Sequence, residues 1–191
     1  MLRIAITGNI ASGKSVVEEL LRNKGHKVFD TDIISHEKMN ELSTKIITAF
    51  KNFEILTNNQ IDRNKLGQVV FNNPNKLKLL ENILHPAIKE EIEKIFEQNK
   101  NEKFIFVSVP LLFESGFDKM FDKIIFISAN EDIRLVRLMK RNNLAKEDAL
   151  KRINSQQNEN NKTNKCDFVI NNNNSKEELE TEITKVLSSI Y

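Results

Sequence analysis

The stretch Gly8-Asn9-Ile10-Ala11-Ser12-Gly13-Lys14-Ser15 constrains the fold of this chain more than any other feature. An apolar run at residues 2–7 precedes it, and an amphipathic run at residues 16–21 follows it. Strand, glycine loop and helix in this order form the setting in which the P-loop pattern binds phosphate. Gly8 and Gly13 let the backbone approach an anion closely, and the helix N-terminus adds partial positive charge. The stretch therefore predicts a phosphate-binding loop in an α/β fold.

The polar residues of the loop predict what it holds. Lys14 is expected to reach the β- and γ-phosphates of a nucleotide, and the Ser15 hydroxyl to be a ligand of Mg²⁺. The residues predicted to bind ATP are Gly8, Asn9, Ile10, Ala11, Ser12, Gly13, Lys14, Ser15 and Val16. The alternative, a glycine-rich turn with an exposed lysine, leaves the Gly-Lys-Ser order unexplained.

Composition limits the class of protein. With 191 residues and 39% hydrophobic content, the chain is expected to form one globular domain. A net charge of +2 gives no strong field for a nucleic-acid or membrane partner. No apolar segment approaches the roughly 20 residues that span a bilayer, so a cytoplasmic location is expected. The single cysteine, Cys166, excludes an internal disulfide and is expected to be a small buried hydrophobe.

Short apolar runs predict a five-stranded parallel sheet. They lie at residues 2–7, 27–29, 103–110, 123–128 and 168–170. Residues 42–99 read as helical throughout, without a good strand, and Pro86 is expected to open a helix over residues 87–98. Residues 158–165 are expected to form a polar loop.

Two carboxylates follow the second predicted strand, in the segment Asp30-Thr31-Asp32. Ligands of an open α/β sheet bind at the carboxyl ends of its strands, so both aspartates are expected to face the crevice of the P-loop. Strand alternation predicts that Asp30 and Asp32 share a side that Thr31 does not. Either carboxylate could approach a reacting hydroxyl or cap the next helix, and the pattern leaves both roles open.

Other polar residues are candidates for the remainder of a site. Arg63 and His85 lie in the helical segment, although a histidine before a proline is more often a turn or capping residue. Arg134, Arg137 and Arg141 are spaced to lie along one helix face. That face is either an ordinary solvated surface or a mobile lid whose arginines cover phosphates.

The predicted strand at residues 103–110 lacks the metal-orienting aspartate that many P-loop proteins carry near its end. Ser108 and, later, Glu114 are the polar residues there. Metal support is therefore expected from Ser15, the phosphates and water, with Asp32 and Glu114 as further candidates.

Further motifs run through nearly the whole chain. They are residues 7–15, residues 28–34, Asp62-Arg63, Leu84-His85-Pro86, residues 110–114, Arg137, Arg141, Gln156 and residues 167–172. Together they resemble the dephospho-coenzyme A kinase family. The resemblance implies a P-loop kinase three-layer fold with a core at about residues 1–40, 101–130 and 166–191. It further implies a helical acceptor-binding insertion at about residues 41–100 and a helical lid at about residues 131–165.

The resemblance also implies an activity, which is transfer of the ATP γ-phosphoryl group to the ribose 3′-hydroxyl of dephospho-coenzyme A. The resemblance implies that Asp32 is the catalytic base. It also implies that phosphate charge is stabilised by Lys14, Mg²⁺, Arg137 and Arg141. The residues expected to bind the acceptor substrate are Asp30, Arg63, His85 and Glu114. The implied partners are ATP and dephospho-coenzyme A, with no nucleic acid and no membrane.

Two other functions remain open at this point. One is a P-loop kinase with the same core that acts on a nucleoside or another small metabolite. The other is a regulatory protein that binds ATP without turning it over.

Ala11 departs from the family pattern, in which glycine is common at that loop position, so a less flexible loop is expected.

Overall fold

The apolar runs form a parallel sheet in the computed structural model, which describes residues 1–156 and 159–190. Its strand order is β2-β5-β1-β6-β7, and a two-stranded antiparallel hairpin joins β3 to β4. The strands are β1 (Leu2–Gly8), β2 (Lys27–Asp30), β3 (Leu56–Thr57), β4 (Gln60–Ile61), β5 (Phe104–Ser108), β6 (Lys123–Ser128) and β7 (Phe168–Asn171). The prediction of a five-stranded parallel sheet is confirmed.

The helices separate these strands along the chain. They are α1 (Lys14–Asn23), α2 (Thr31–Glu41), α3 (Ser43–Ala49), α4 (Arg63–Phe71), α5 (Pro74–Gln98), α6 (Glu131–Asn142), α7 (Lys146–Asn154), α8 (Glu159–Thr163) and α9 (Lys176–Ile190), with a 3-10 turn at Asp118–Met120. Within the described ranges, 1–156 and 159–190, no helix is both long and apolar enough to cross a membrane.

Both faces of the sheet are buried, because β1, β5 and β6 are apolar at almost every position. On one face, alternate strand residues pack against helices α1 and α9. The residues of this layer include Ile4, Ile6, Phe104, Phe106, Ile125, Ile127, Val17, Leu20, Leu21, Leu179, Ile183 and Leu187. Residues of the opposite strand parity, such as Ala5, Ile105 and Phe126, are buried as well. This packing fixes α1, and the loop before it, against the sheet.

The chain divides into two compact units. The first contains residues 1–30 and the residues from 100 onward, and the second contains Thr31–Asn99. Within the second unit, α5 packs against α2, α3 and α4. The second unit therefore includes α2, which the sequence analysis assigned to the core, together with most of the predicted insertion.

Three predictions of local structure are wrong. Pro86 lies inside α5, which begins at Pro74 after the capping side chain of Asn73, so the proline removes one helical hydrogen bond without ending the helix. The segment expected to lack strands contains the hairpin β3–β4, whose turn residues Asn58 and Asn59 have positive φ. The loop predicted over residues 158–165 contains α8, although position 158 itself lies outside the described residues.

Candidate active site

The loop between β1 and α1 has the backbone of an anion site. Ala11 and Gly13 have positive φ values of 60° and 93°, and Gly13 directly precedes α1. Left-handed residues alternating with right-handed ones turn successive N–H groups toward one point, and the first N–H groups of a helix have no intrahelical acceptor. Gly8 is required for a different reason, since a Cβ there would lie 2.6 Å from the carbonyl oxygen of Ile127. These features fit the predicted phosphate-binding role.

The side chain of Lys14 is directed by two neighbours. Its ammonium Nζ lies 3.0 Å from Oε1 of Glu18, one turn further along α1, and also donates a hydrogen bond to the Ser108 hydroxyl at the end of β5. The Ser108 hydroxyl donates to the same Glu18 oxygen at 2.6 Å. The ammonium is therefore held at the carboxyl ends of β1 and β5, beside the loop.

Arg137 of α6 is held against the same loop. Its Nη1 donates to the carbonyl oxygen of Ser12 at 3.4 Å, and its Nη2 donates to the carbonyl oxygen of Asn172 at 3.0 Å. The side chain of Asn172 donates to the Ser12 carbonyl as well, at 2.8 Å. The Ile10 N–H of the loop donates to Oε1 of Gln156, which follows α7, at 2.7 Å. Residues far apart in the sequence thus fix the loop.

The three arginines of α6 lie along one helix face, as their spacing predicts, but they have different surroundings. Arg134 is buried, with 6% of its surface exposed, and its Nε donates to the Ala129 carbonyl at 3.1 Å. Arg137 reaches the loop, whereas Arg141 is exposed and its Nε donates to Asn142 Oδ1 at 2.9 Å. Residues seven positions apart return to the same helix face about 10.5 Å further along the axis, so the surroundings of this face change along the helix.

Glu114 forms an ion pair with Lys162. Its Oε1 lies 2.7 Å from the lysine Nζ, and the lysine side chain is only 3% exposed. Lys162 belongs to α8, in the segment predicted as the lid, so this pair connects that segment to the loop after β5. The substrate-binding role predicted for Glu114 stays a prediction.

Cys166 is half-buried, and its Sγ donates to the Lys162 carbonyl at 3.1 Å. Burial, together with the negative charge of Asp167, raises the pKa of the thiol to about 11. A thiol in this state is a poor nucleophile near neutral pH. The expectation of a packed, unreactive cysteine agrees with this environment.

Asp30 and Asp32 do not occupy one strand. Asp30 is the last residue of β2, and α2 begins at Thr31, so Asp32 lies in the first helical turn. Thr31 is buried and Asp32 is exposed. Strand alternation does not apply here because the chain becomes helical immediately after Asp30, although Thr31 does differ from both aspartates in being buried. An acidic side chain in the first turn interacts favourably with the helix dipole.

Arg63 and His85 belong to the second unit, as does Asp32. Arg63 is exposed and opens α4, whose N-cap Asp62 accepts hydrogen bonds from the N–H groups of Asn64 and Lys65. His85 lies in the middle of α5, where burial lowers the pKa of its imidazole, with Glu81 opposing and Lys89 adding to that shift. The neutral imidazole is therefore the favoured form at pH 7.

Two buried polar atoms of the loop are unpaired among residues 1–156 and 159–190. They are Asn9 Oδ1 and Ser12 Oγ. Buried polar groups normally have partners, and exceptions concentrate at functional sites. The location of these atoms in the loop agrees with its predicted contact with a ligand.

The fold and the loop together define the class of protein, which is a P-loop kinase. A shikimate kinase from Bacteroides thetaiotaomicron shares the fold, with a TM-score of 0.55 at 14% identity over 99% of this chain and 98% of that one. The family described as CoaE: Dephospho-CoA kinase matches residues 2–178. The chain belongs to this dephospho-CoA kinase family.

Individual relatives agree with this membership. A dephospho-CoA kinase of Listeria innocua is 38% identical over 187 residues, which cover 94% of this chain and 92% of the relative. The solved structure of a dephospho-CoA kinase from Campylobacter jejuni is 36% identical and has a TM-score of 0.76, over 98% of this chain and 96% of the other. The resemblance stated from the motifs is confirmed.

Sequence reasoning overlooked Glu18. The available signal was its position four residues after Lys14, on the helix stripe that also contains Val17 and Leu21. A carboxylate on the buried side of an amphipathic helix is unusual and indicates a specific partner. The contact between Asn172 and the loop joins residues 160 positions apart. Asn172 was recognised only as part of the family resemblance.

Proposed function

We propose that this chain transfers the γ-phosphoryl group of ATP to the ribose 3′-hydroxyl of dephospho-coenzyme A, which gives coenzyme A and ADP and completes coenzyme A synthesis. The observation that carries the proposal is the family match over residues 2–178, because it includes the loop of the first unit and the entire second unit. A shared fold alone would not specify the acceptor.

The loop provides the part of the mechanism that stabilises charge. Its backbone N–H groups and Lys14 would bind the phosphates, whose negative charge is spread over several oxygens during transfer. Arg137 has five N–H donors, of which its bonds to the Ser12 and Asn172 carbonyls use two. The guanidinium is thus fixed beside the loop with donors left for phosphate oxygens. Arg141 would require a movement of its side chain to assist.

The residues present fit a magnesium ion that arrives with ATP. In the part of the chain that the structure describes, no group of three or more His, Cys, Asp or Glu side chains could hold a metal ion. Mg²⁺ commonly binds through substrate phosphates, water and few protein ligands, and the exposed Ser15 hydroxyl suits such a site. Bound there, the ion would neutralise charge on the β- and γ-phosphates.

Asp32 is the proposed base. Its carboxylate would accept the proton of the 3′-hydroxyl as the oxygen attacks the γ-phosphorus, and the bond from that phosphorus to the β,γ-bridging oxygen breaks. Asp30, Arg63, His85 and Glu114 are proposed to bind the acceptor. The neutral His85 imidazole can donate one hydrogen bond and accept another, which suits a hydroxyl or phosphate group.

The reaction is tested first with purified protein, Mg-ATP and dephospho-coenzyme A, by following ADP release and product mass. Formation of coenzyme A, with free adenosine unreactive, is the expected result. Retained ATP binding without product would refute the proposed acceptor.

The base is tested with Asp32→Asn. Turnover is expected to fall by a factor on the order of 10² or more, with ATP affinity unchanged. The matched control is Glu37→Gln, which removes an exposed carboxylate from the same helix and should leave turnover within about twofold of wild type. Unchanged turnover in Asp32→Asn would exclude Asp32 as the base.

A further inference from the structure

Glu18 is a buried carboxylate on the face of α1 that packs against the sheet. Only 4% of its side chain is exposed, and its helical neighbours Val17, Leu20 and Leu21 belong to the core. Burying an ionised carboxylate among apolar side chains is costly unless it is paired and hydrogen-bonded. An apolar residue would satisfy the packing at this position more simply, so the carboxylate needs another explanation.

Both oxygens of the Glu18 carboxylate have partners, and those of Oε1 lie beside the loop. Oε1 accepts from Lys14 Nζ at 3.0 Å and from Ser108 Oγ at 2.6 Å, while Arg22 Nη2 lies 3.5 Å from Oε2. Lys14 also donates to Ser108, so these three side chains form a closed network. Ser108 itself is paired with Ile6 of β1 and Asp30 of β2 in the sheet.

The network determines where the Lys14 ammonium lies. A lysine side chain has a flexible four-carbon stem and three N–H donors. Its bonds to Glu18 and Ser108 use two donors and leave one for a phosphate oxygen. A displacement of about 1 Å at a reacting centre is enough to lower a rate by 10²-fold, so an acceptor that fixes this ammonium has catalytic value.

Strand β5 supplies one acceptor for this ammonium, the Ser108 hydroxyl, but no carboxylate. P-loop enzymes commonly have an aspartate near the end of this strand, whereas here β5 ends at Ser108 and continues with Val109 and Pro110. We propose that Glu18 is a positioning residue. With Ser108 it holds the Lys14 ammonium at the carboxyl end of β5, and it supplies from α1 the carboxylate that this strand lacks.

The inference rests on the proposed function for its turnover measurement but not for its ATP-binding measurement. The variant Glu18→Gln keeps the size of the side chain and removes its charge. The matched control is Glu19→Gln on the same helix, because Glu19 is exposed and pairs only loosely, at 3.6 Å, with Lys176. Both variants are compared with wild type in kcat, in affinity for Mg-ATP without acceptor by calorimetry, and in thermal unfolding.

If Glu18 positions Lys14, its replacement should lower kcat without lowering the affinity for Mg-ATP. In Glu18→Gln, kcat is expected to fall about tenfold or more, since the ammonium is no longer directed. Affinity for Mg-ATP is expected to stay the same or rise, because a carboxylate that competes with the phosphates for Lys14 has lost its charge. Glu19→Gln is expected to stay within about twofold of wild type in both. A kcat within twofold of the control, or an affinity that falls in parallel with kcat, would overturn the proposal.

Restoring a carboxylate on the strand provides the second test. Glu18→Gln combined with Ser108→Asp moves the negative charge from α1 to β5, and its kcat is expected to be at least about fivefold above that of Glu18→Gln. A folded double variant without this recovery would overturn the proposal. Should Ser108→Asp not fold, the separation of kcat from affinity decides. If wild type forms no coenzyme A, the proposed function fails. The positioning role is then judged from the affinity for Mg-ATP alone. Weaker Mg-ATP binding in Glu18→Gln than in Glu19→Gln would overturn it.

Discussion

Replacing Gly13 by alanine tests the close packing around the loop. Gly13 has a φ of +93°, and a Cβ on it would lie 1.9 Å from Nδ2 of Asn172. The left-handed backbone costs an alanine about 1–2 kcal/mol. Moving Asn172 aside also breaks its 2.8 Å hydrogen bond to the Ser12 carbonyl and leaves a buried polar group unpaired, for a further 1–3 kcal/mol or so. Gly13→Ala is therefore expected to destabilise the protein by roughly 2–5 kcal/mol.

Gly25 provides the matched control for that substitution. Its φ is +86°, but nothing lies within 4 Å of the position that a Cβ would occupy. Gly25→Ala should therefore cost only the backbone strain, about 1–2 kcal/mol. For a chain of this size each kcal/mol lowers Tm by roughly 2–4 °C, so the Tm of Gly13→Ala should lie several degrees below that of Gly25→Ala.

Thermal unfolding of four proteins completes the test. They are wild type, Gly13→Ala, Asn172→Ala and the double variant. Removing the Asn172 side chain relieves the clash, so Gly13→Ala in that background should cost no more than Gly25→Ala does in wild type. Equal Tm values for Gly13→Ala and Gly25→Ala, or additive effects in the double variant, would refute the described contact between Asn172 and the loop.

Two more predictions concern the Glu114–Lys162 pair and Cys166. Glu114→Ala should destabilise the fold by about 2 kcal/mol or more, because it leaves a buried ammonium unpaired. Lys162→Met removes that charge and should therefore destabilise the fold less. Chemical denaturation measures both free energies of unfolding, and the opposite order would contradict the buried ion pair. The alkylation rate of Cys166 with iodoacetamide should rise with pH toward a midpoint of about 11, and a midpoint below 9 would contradict its described burial. The pKa of the thiol is raised from 9.0, so the folded state keeps the proton to higher pH than the unfolded state does. The thiol's contribution to stability is therefore present below pH 9 and is lost as the pH rises through about 11.

The sheet was predictable because buried parallel strands are continuous apolar runs. The run at residues 123–128 coincides with β6, and the predicted helix with Arg134, Arg137 and Arg141 corresponds to α6. Pro86 was misleading because local propensity favours a helix start, while packing of α5 against its neighbours keeps the helix continuous. The hairpin β3–β4 has two-residue strands, too short for an alternating pattern to appear.

The phosphate loop was also predictable, since its function requires particular residues at fixed spacing. The partners of the loop were harder to find. Asn172 and Gln156 reach it from the far end of the chain, and nothing local in the sequence reports a contact over 160 or 146 positions. Glu18 was close in sequence but looked like one of many surface carboxylates. Its place on the helix stripe with Val17 and Leu21, which the structure shows to be buried, distinguishes it from the exposed Glu19 beside it.

The strand order delays formation of the sheet while the protein is synthesised on the ribosome. Strand β5 lies between β1 and β2, and β2 pairs with no other strand of the sheet. The first two strands emerge early, yet neither finds its neighbour until the whole segment Thr31–Asn99 has been synthesised. At about 5–20 residues per second, that delay lasts several seconds or more. The contiguous second unit can fold during this interval, while the apolar strand β1 stays unpaired.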